Sequence, residues 1–257
     1  MIYFLYACII FIATFLGACA GLGGGVIIKP ALDFIGAHDI QTISILSSCA
    51  VFTMAIYSTI KQIKNKVQFD FILIILISMG AMLGGIIGNT IFNFLLNIFN
   101  SNTLSIIQAI CLIILLIIVL INVNTKHHHF KIKNKCLIFI VGLSLGLLSS
   151  FLSIGGGPIN VAVFSYFFSF DMKLSAIYSI ATILFSQSSK LFTIFMNHGF
   201  IGFDFTLLYV LPMAIFGGIV GTKVNRIVSE HTIKMIFNYT VIGIILLNVY
   251  NLITFIQ

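Results

Sequence analysis

The chain has 257 residues, of which 60% are hydrophobic and only 7% charged, whereas an ordinary soluble domain carries about a quarter charged residues. No water-soluble fold hides that much apolar surface, and no stretch between the apolar runs is long enough to build a core of its own. The formal charge of +7 comes from Lys and Arg in short loops between apolar spans, with no aromatic-interleaved basic face; this excludes nucleic acid as the expected partner and leaves the lipid bilayer.

Apolar segments fall near 2–20, 26–36, 42–60, 69–97, 103–123, 136–153, 159–169, 174–196, 203–222 and 233–256. Most can cross a roughly 30 Å hydrocarbon layer as helices, for which about 20 residues suffice. The first ends in Leu16-Gly17-Ala18-Cys19, which resembles a lipoprotein processing box. No Lys or Arg precedes Lys29, so the chain is expected to remain uncleaved from Met1 onward. The triplet Gly23-Gly24-Gly25 then interrupts the apolar run, and the segment behind it spans only about 16 Å as a helix. Segment 69–97 carries Gly84, Gly85 and Gly88, a spacing of small residues that lets helices approach closely. A Lys-rich loop near 125–135 contains His127, His128 and His129, which lack supporting Cys or acidic ligands and read as a solvated loop and not a metal site. Beyond it the pattern returns, with Gly155-Gly156-Gly157 before a second short segment and Gly217, Gly218 and Gly221 inside a full one. Cys8, Cys19, Cys49, Cys111 and Cys136 are scattered without C-x-x-C spacing, so no disulfide framework, metal or cofactor is expected.

That return is the signature of an internal duplication. The separation that relates Gly23-Gly24-Gly25 to Gly155-Gly156-Gly157 also relates Asp39 to Asp171. Farther on, Asp70 matches Asp204, and Leu83-Gly84-Gly85-Ile86-Ile87-Gly88 matches Phe216-Gly217-Gly218-Ile219-Val220-Gly221. Positive charge reverses between the halves. Loop 61–67 carries Lys61, Lys64 and Lys66 while its counterpart 197–203 carries none; loop 98–102 carries none while 223–234 carries Lys223, Arg226 and Lys234. Because Lys and Arg favour cytoplasmic loops, equivalent loops are expected on opposite sides of the membrane, as in an inverted repeat. The reversal needs an odd number of crossings per half, which follows if 2–36 and 136–169 are each a hairpin that enters and leaves on one side. The expected fold is an all-α integral membrane protein forming one domain over 1–257. Two inverted repeats, about 1–125 and 136–257, flank a cytoplasmic loop at about 125–135. Each is a Gly-broken re-entrant helix hairpin followed by three transmembrane helices, about eight hydrophobic spans in all, with both termini external.

Backbone that leaves the helix at membrane depth is tolerated only where protein buries it or where it lines a cavity. Glycine lets exposed N–H groups approach a ligand closely, and the short helix that follows aims its positive N-terminal end at that ligand. Gly23, Gly24, Gly25, Gly155, Gly156 and Gly157 are therefore candidate ligands for a small anion. Pro158 suits the first helical turn, where its missing N–H would be unpaired anyway. Lys29 and Lys190 are the Lys residues that lie well inside apolar segments, Lys234 standing at the loop edge of the last, and burying either costs about 3 kcal/mol on insertion scales. Each is a candidate anion ligand; for Lys29 the alternative is pairing with Asp33 one turn away. Gln187, in the polar stretch leading to Lys190, and Asn160, just beyond Pro158, add possible side-chain donors; for Asn160 an interhelical hydrogen bond is the alternative. Gly84, Gly85, Gly88, Gly217, Gly218 and Gly221 read as helix-packing positions. Asp39, Asp70, Asp171 and Asp204 lie near segment ends and read as helix caps in preference to a proton relay.

The run Gly21-Leu22-Gly23-Gly24-Gly25-Val26-Ile27-Ile28-Lys29-Pro30-Ala31-Leu32 and its echo Ile154-Gly155-Gly156-Gly157-Pro158 resemble the sulfite exporter TauE/SafE family, also called the 4-toluene sulfonate uptake permeases. The likeness covers essentially the whole chain. It implies transport of sulfur-containing anions such as sulfite, sulfonates or organosulfur acids, and a location in the bacterial inner membrane. The second motif departs from the first, with Pro158 directly after the glycines and Ala162 where Pro30 has its counterpart.

Rival readings find less support. No phosphate loop of the G-x-x-x-x-G-K-[ST] type exists, and no loop is long enough for an ATPase domain. Gly21-Leu22-Gly23 begins like a dinucleotide fingerprint, but Val26 occupies the third glycine position. An intramembrane hydrolase would need a nucleophile and a base, for which Ser153 with His198 are the candidates. A non-transporting assembly protein is the remaining alternative.

Overall fold

The computed structural model describes residues 2–65, 70–125, 131–198 and 206–256. Among the described residues the chain forms ten helices and no strand: α1 (Ile2–Ala20), α2 (Gly25–Ile35), α3 (Ile40–Lys64), α4 (Phe71–Ile98), α5 (Ser101–Asn124), α6 (Lys135–Phe151), α7 (Gly157–Phe168), α8 (Met172–His198), α9 (Leu207–Ile227) and α10 (Glu230–Ile256). It is a multi-pass membrane protein, with α3, α4, α5, α9 and α10 each long and apolar enough to cross a bilayer. Helix α8 has the length, 27 residues, but much of it is buried Ser, Thr, Gln and Lys. Large apolar side chains such as Ile75, Ile118 and Leu246 point outward, where lipid replaces water as their neighbour.

Capping explains several boundaries. The Asp39 carboxylate accepts from Gln41 N and Thr42 N, Asp70 from Ile72 N and Leu73 N, and Asp171 from Leu174 N. Asp204 and the His127–His129 run lie outside the described residues. Helices α3 and α9 continue past the apolar limits expected at 60 and 222, because hydropathy marks where lipid contact ends, whereas backbone hydrogen bonding continues into the charged turn beyond.

Each glycine break folds its chain back. Helix α1 is about 28 Å long and α2 about 16 Å, and the Tyr6 hydroxyl near the start of α1 lies 2.8 Å from His38 Nδ1 just beyond α2. In the second half, Ile132 N ahead of α6 donates to the Phe167 carbonyl at the end of α7, 3.1 Å away. Partners are then exchanged between halves: α1 packs chiefly on α9, and α6 chiefly on α4. Glycines permit these approaches. A Cβ on Gly84 would collide with the Leu143 carbonyl and one on Gly88 with that of Leu147; on α9, Gly217 and Gly221 meet Thr14, Phe11 and Phe15 of α1 in the same way. Gly85 faces Ser186 and Ser189 of α8, and Gly218 faces Met54 of α3.

Hydrogen bonds also identify which helix ends share a side. The Asp70 N–H donates to the Tyr178 hydroxyl early in α8, Lys173 Nζ to the Arg226 carbonyl, Met172 N to Glu230 Oε1, and Asn124 and Asn238 bond reciprocally. The start of α8 is thus gathered with the ends of α5 and α9 and the starts of α4 and α10. Lys61 at the end of α3 shares a cavity with Lys223 and Arg226. Lys61, Lys173, Lys223 and Arg226 therefore collect at one end of the molecule.

Candidate functional site

Left-handed backbone makes both breaks. In the first, φ is +75° at Gly21, +76° at Gly23 and +75° at Gly24; in the second it is +57° at Ser153, +77° at Gly155 and +72° at Gly156. These are matching positions of the two halves, and only Ser153 carries a side chain there, a conformation that costs about 1–3 kcal/mol outside glycine. Gly24 and Gly156 are the N-caps of α2 and α7, and no side chain caps either helix. In the first turns Ile27 N donates to the Gly24 carbonyl and Pro158 has no N–H, which leaves the N–H groups of Gly25 and Val26 in α2 and of Gly157 and Ile159 in α7 without intrahelical acceptors.

The two breaks press against each other. A Cβ on Gly25 would lie 2.5 Å from the Ile154 carbonyl oxygen, and one on Gly157 would collide with the Leu22 carbonyl. Gly23 faces Ile183 of α8, and Gly155 faces Val51 of α3. The glycines are needed for backbone-to-backbone contact as much as for positive φ.

Lys190 reaches this crossing from α8. It is 0% exposed, and its Nζ donates to Ser44 Oγ at 2.9 Å and to Ser153 Oγ at 3.1 Å, while Ser44 Oγ donates to Ser153 Oγ at 2.9 Å. Among the described residues no carboxylate pairs with it, since the ion pair found there is Lys29–Asp33. An ammonium held only by hydroxyl oxygens in a buried site keeps most of its charge uncompensated. One turn earlier, Gln187 Nε2 donates to Ser149 Oγ at 3.3 Å. Asn160 is buried at the start of α7, its Oδ1 3.3 Å from where a Gly156 Cβ would stand and without a hydrogen-bond partner; buried Ser150 Oγ is likewise unpaired.

Lys29 behaves differently. Its Nζ donates to Asp33 Oδ2 at 3.3 Å, with both side chains almost buried, so the pairing alternative describes this structure. The helix itself is held to α10 by Asn251 Nδ2, which donates to the Pro30 carbonyl at 2.8 Å. The structure thus brings Gly23, Gly25, Gly155, Gly157 and Lys190 to one crossing, sets Gly156, Pro158, Asn160 and Gln187 beside its second half, and ties Lys29 to its own helix. Ser153 finds Lys190 as its basic neighbour; the side chain of His198 lies outside the described residues.

Sequence reasoning missed Ser44 and Ser149. A signal was present: at matching positions the first half has Gly17, Gly21, Ala55 and Ser58 where the second has Ser149, Ser153, Gln187 and Lys190, and Ser44 in turn matches Ala176. At these matching positions the second half carries more polar residues than the first.

The pattern of the family described as Sulfite exporter TauE/SafE matches residues 6–247. The chain is 26% identical over 257 aligned residues to the Probable membrane transporter protein YunE of Bacillus subtilis (strain 168), covering 90% of this chain and 91% of that protein. No solved structure gives a significant match.

Proposed function

Because this chain belongs to the sulfite exporter TauE/SafE family and is a membrane transporter, we propose that it carries small sulfur-containing anions, such as sulfite, sulfonates or organosulfur acids, by secondary transport across a bacterial inner membrane. The observation that carries the reading is Lys190, a buried cation with hydroxyl partners and, among the described residues, no counter-charge, set at the crossing of the two breaks. A small anion entering the crossing neutralises Lys190 and accepts from the first-turn N–H groups of α2 and α7. Gln187 and the amide of Asn160, once turned over, supply neutral donors that suit sulfonyl oxygens. Lys29 joins by exchanging Asp33 for the ligand.

The halves act as inverted repeats in this scheme, with the basic end cytoplasmic and both termini external. Exchange of partners between halves, α1 on α9 and α6 on α4, supports rocking of two mixed bundles around the crossing as the route to alternating access. The test is flux in proteoliposomes against sulfite, a sulfonate, thiosulfate and a carboxylate, with wild type beside Lys29→Ala and Lys190→Ala. Sulfur-anion flux that collapses in Lys190→Ala is the expected result; unchanged flux in both variants removes the lysines from the site.

One contact favours a second reading. Lys190 beside Ser153 is a serine with a basic neighbour, the minimal set for an intramembrane hydrolase. Ester or peptide cleavage by the same vesicles, without anion flux, would establish that reading in place of transport.

A further inference from the structure

A cavity of about 250 Å³ opens between the C-terminal turns of α3 and α9, away from the glycine crossing. Its walls are two helical stripes: Tyr57, Lys61 and Asn65 on α3, and Ile219, Thr222, Lys223 and Arg226 on α9. Three cations from two helices line this one small space. No carboxylate is among the described lining residues, and the described acidic groups at this end are engaged elsewhere: Asp70 and Asp171 cap α4 and α8, and Glu230 accepts from Met172 N. At its buried margin, Thr222 Oγ1 donates to Ser58 Oγ at 2.9 Å, closing the cavity with neutral polar groups.

The bland account is that cations gather at a cytoplasmic face and favour helix C-termini. It explains their sign and their end of the molecule, but not their convergence on one cavity. Matching positions at the opposite end carry Thr193 for Lys61, Asn89 for Thr222, Thr90 for Lys223 and Asn93 for Arg226, so the backbone contact between these helices does not itself require charge. The volume lies below the roughly 300–1,000 Å³ of sites for drug-sized ligands. An Arg fork with two Lys point charges suits a small tetrahedral or pyramidal oxyanion.

We propose that the cavity walled by Lys61, Lys223 and Arg226 is a second oxyanion-binding site, separate from the crossing, that takes either a soluble sulfonate, sulfite or phosphate or the phosphate of an anionic lipid headgroup. As a collecting site at the basic end it deepens the anion-transport reading and rests on it for that role, while the binding itself does not require transport.

The experiment uses the full chain in phosphatidylcholine nanodiscs, titrated calorimetrically with ethanesulfonate and with inorganic phosphate. Binding is expected to persist in Lys190→Met, which removes the charge of the crossing, and in that background to weaken about tenfold or more on adding Lys223→Gln or Arg226→Gln, as removal of one charge-assisted hydrogen bond implies. Lys61→Gln, on the opposite wall, reads the same site if an α9 variant fails to fold. Lys135→Gln, at the same end but outside the cavity, is expected to change binding less than about twofold. A second arm adds phosphatidylglycerol and counts retained lipid by native mass spectrometry: loss of a lipid in Arg226→Gln assigns the site to headgroup phosphate, and equal retention with cavity-dependent probe binding assigns it to the soluble anion. The proposal is overturned if neither probe nor lipid responds to the cavity variants, or if Lys190→Met alone abolishes binding. Cavity-dependent binding by a protein that moves no anion in liposomes would defeat the transport reading and leave this site in place.

Discussion

At the first break Gly21 lies against Ala176 and Val161, whereas at the second the matching Ser153 holds Lys190 and Ser44. The backbones of the two breaks are alike, with left-handed residues at the same three positions and the same reciprocal contact between loops. Their side chains are not. At the first break the polar side chains present, Ser179 and Asn225, are neutral and bond the Gly21 and Cys19 carbonyls, whereas the second gathers Ser149, Ser153, Asn160, Gln187 and the charged Lys190. Both breaks hold the conformation that opens a helix N-terminus, but the buried lysine is paired with Asp33 in the first half and lacks a carboxylate partner among the described residues in the second, so equal sharing of a ligand by the two half-sites is not the expected arrangement.

The sharpest way to break this comparison is Lys190→Met, which keeps most of the side-chain volume and removes the charge. Anion flux in proteoliposomes is expected to fall about a hundredfold, the scale of losing a preorganised donor from a dry site. Folding stability should stay level or rise, because Ser44 and Ser153 still bond each other and a desolvated cation is gone. Unchanged flux would show that the buried charge does not distinguish the breaks functionally.

Backbone contact gives the next largest effect. Gly157→Ala places a Cβ against the Leu22 carbonyl and should cost about 3 kcal/mol, seen as a lower melting temperature and loss of monodisperse protein. Gly21→Ser, which gives the first break the side chain of the second, should cost about 2 kcal/mol because Ala176 and Val161 fill that space. If it is tolerated, the packing difference described above is not real.

The reverse exchange is milder. Ser153→Gly relieves left-handed strain, offsetting part of the lost hydrogen bonds, and should leave thermal stability within about 1 kcal/mol while flux drops about tenfold. A flux loss without a stability loss would assign Ser153 to positioning Lys190. Smallest are the caps: Asp39→Ala and Asp171→Ala should each cost about 1 kcal/mol in thermal unfolding with no change in anion selectivity.

Much of the molecule is legible in the residue order because the bilayer demands it. Apolar run length places the helices to within a few residues, triple glycines mark the breaks, and Asp39, Asp70 and Asp171 mark helix starts, since each of these properties acts between neighbours in the chain. Lys190 stands out because an ionisable residue in an apolar segment is costly wherever it packs. Lys29 shows the limit of that reasoning: the same rule singles it out, yet Asp33 one turn away satisfies it within its own helix.

The sequence by itself determined that this is a membrane protein with two helix breaks and a bias of positive charge in its loops. Tertiary structure alone decided that α1 packs on α9 and α6 on α4, that Ser44 meets Lys190 across α3 and α8, and that Lys61 shares a cavity with Arg226. The physical reason is that lipid rewards every apolar helix face about equally, so the choice of partner rests on small residues that let two backbones touch and on scattered polar groups that find each other only after the helices have packed.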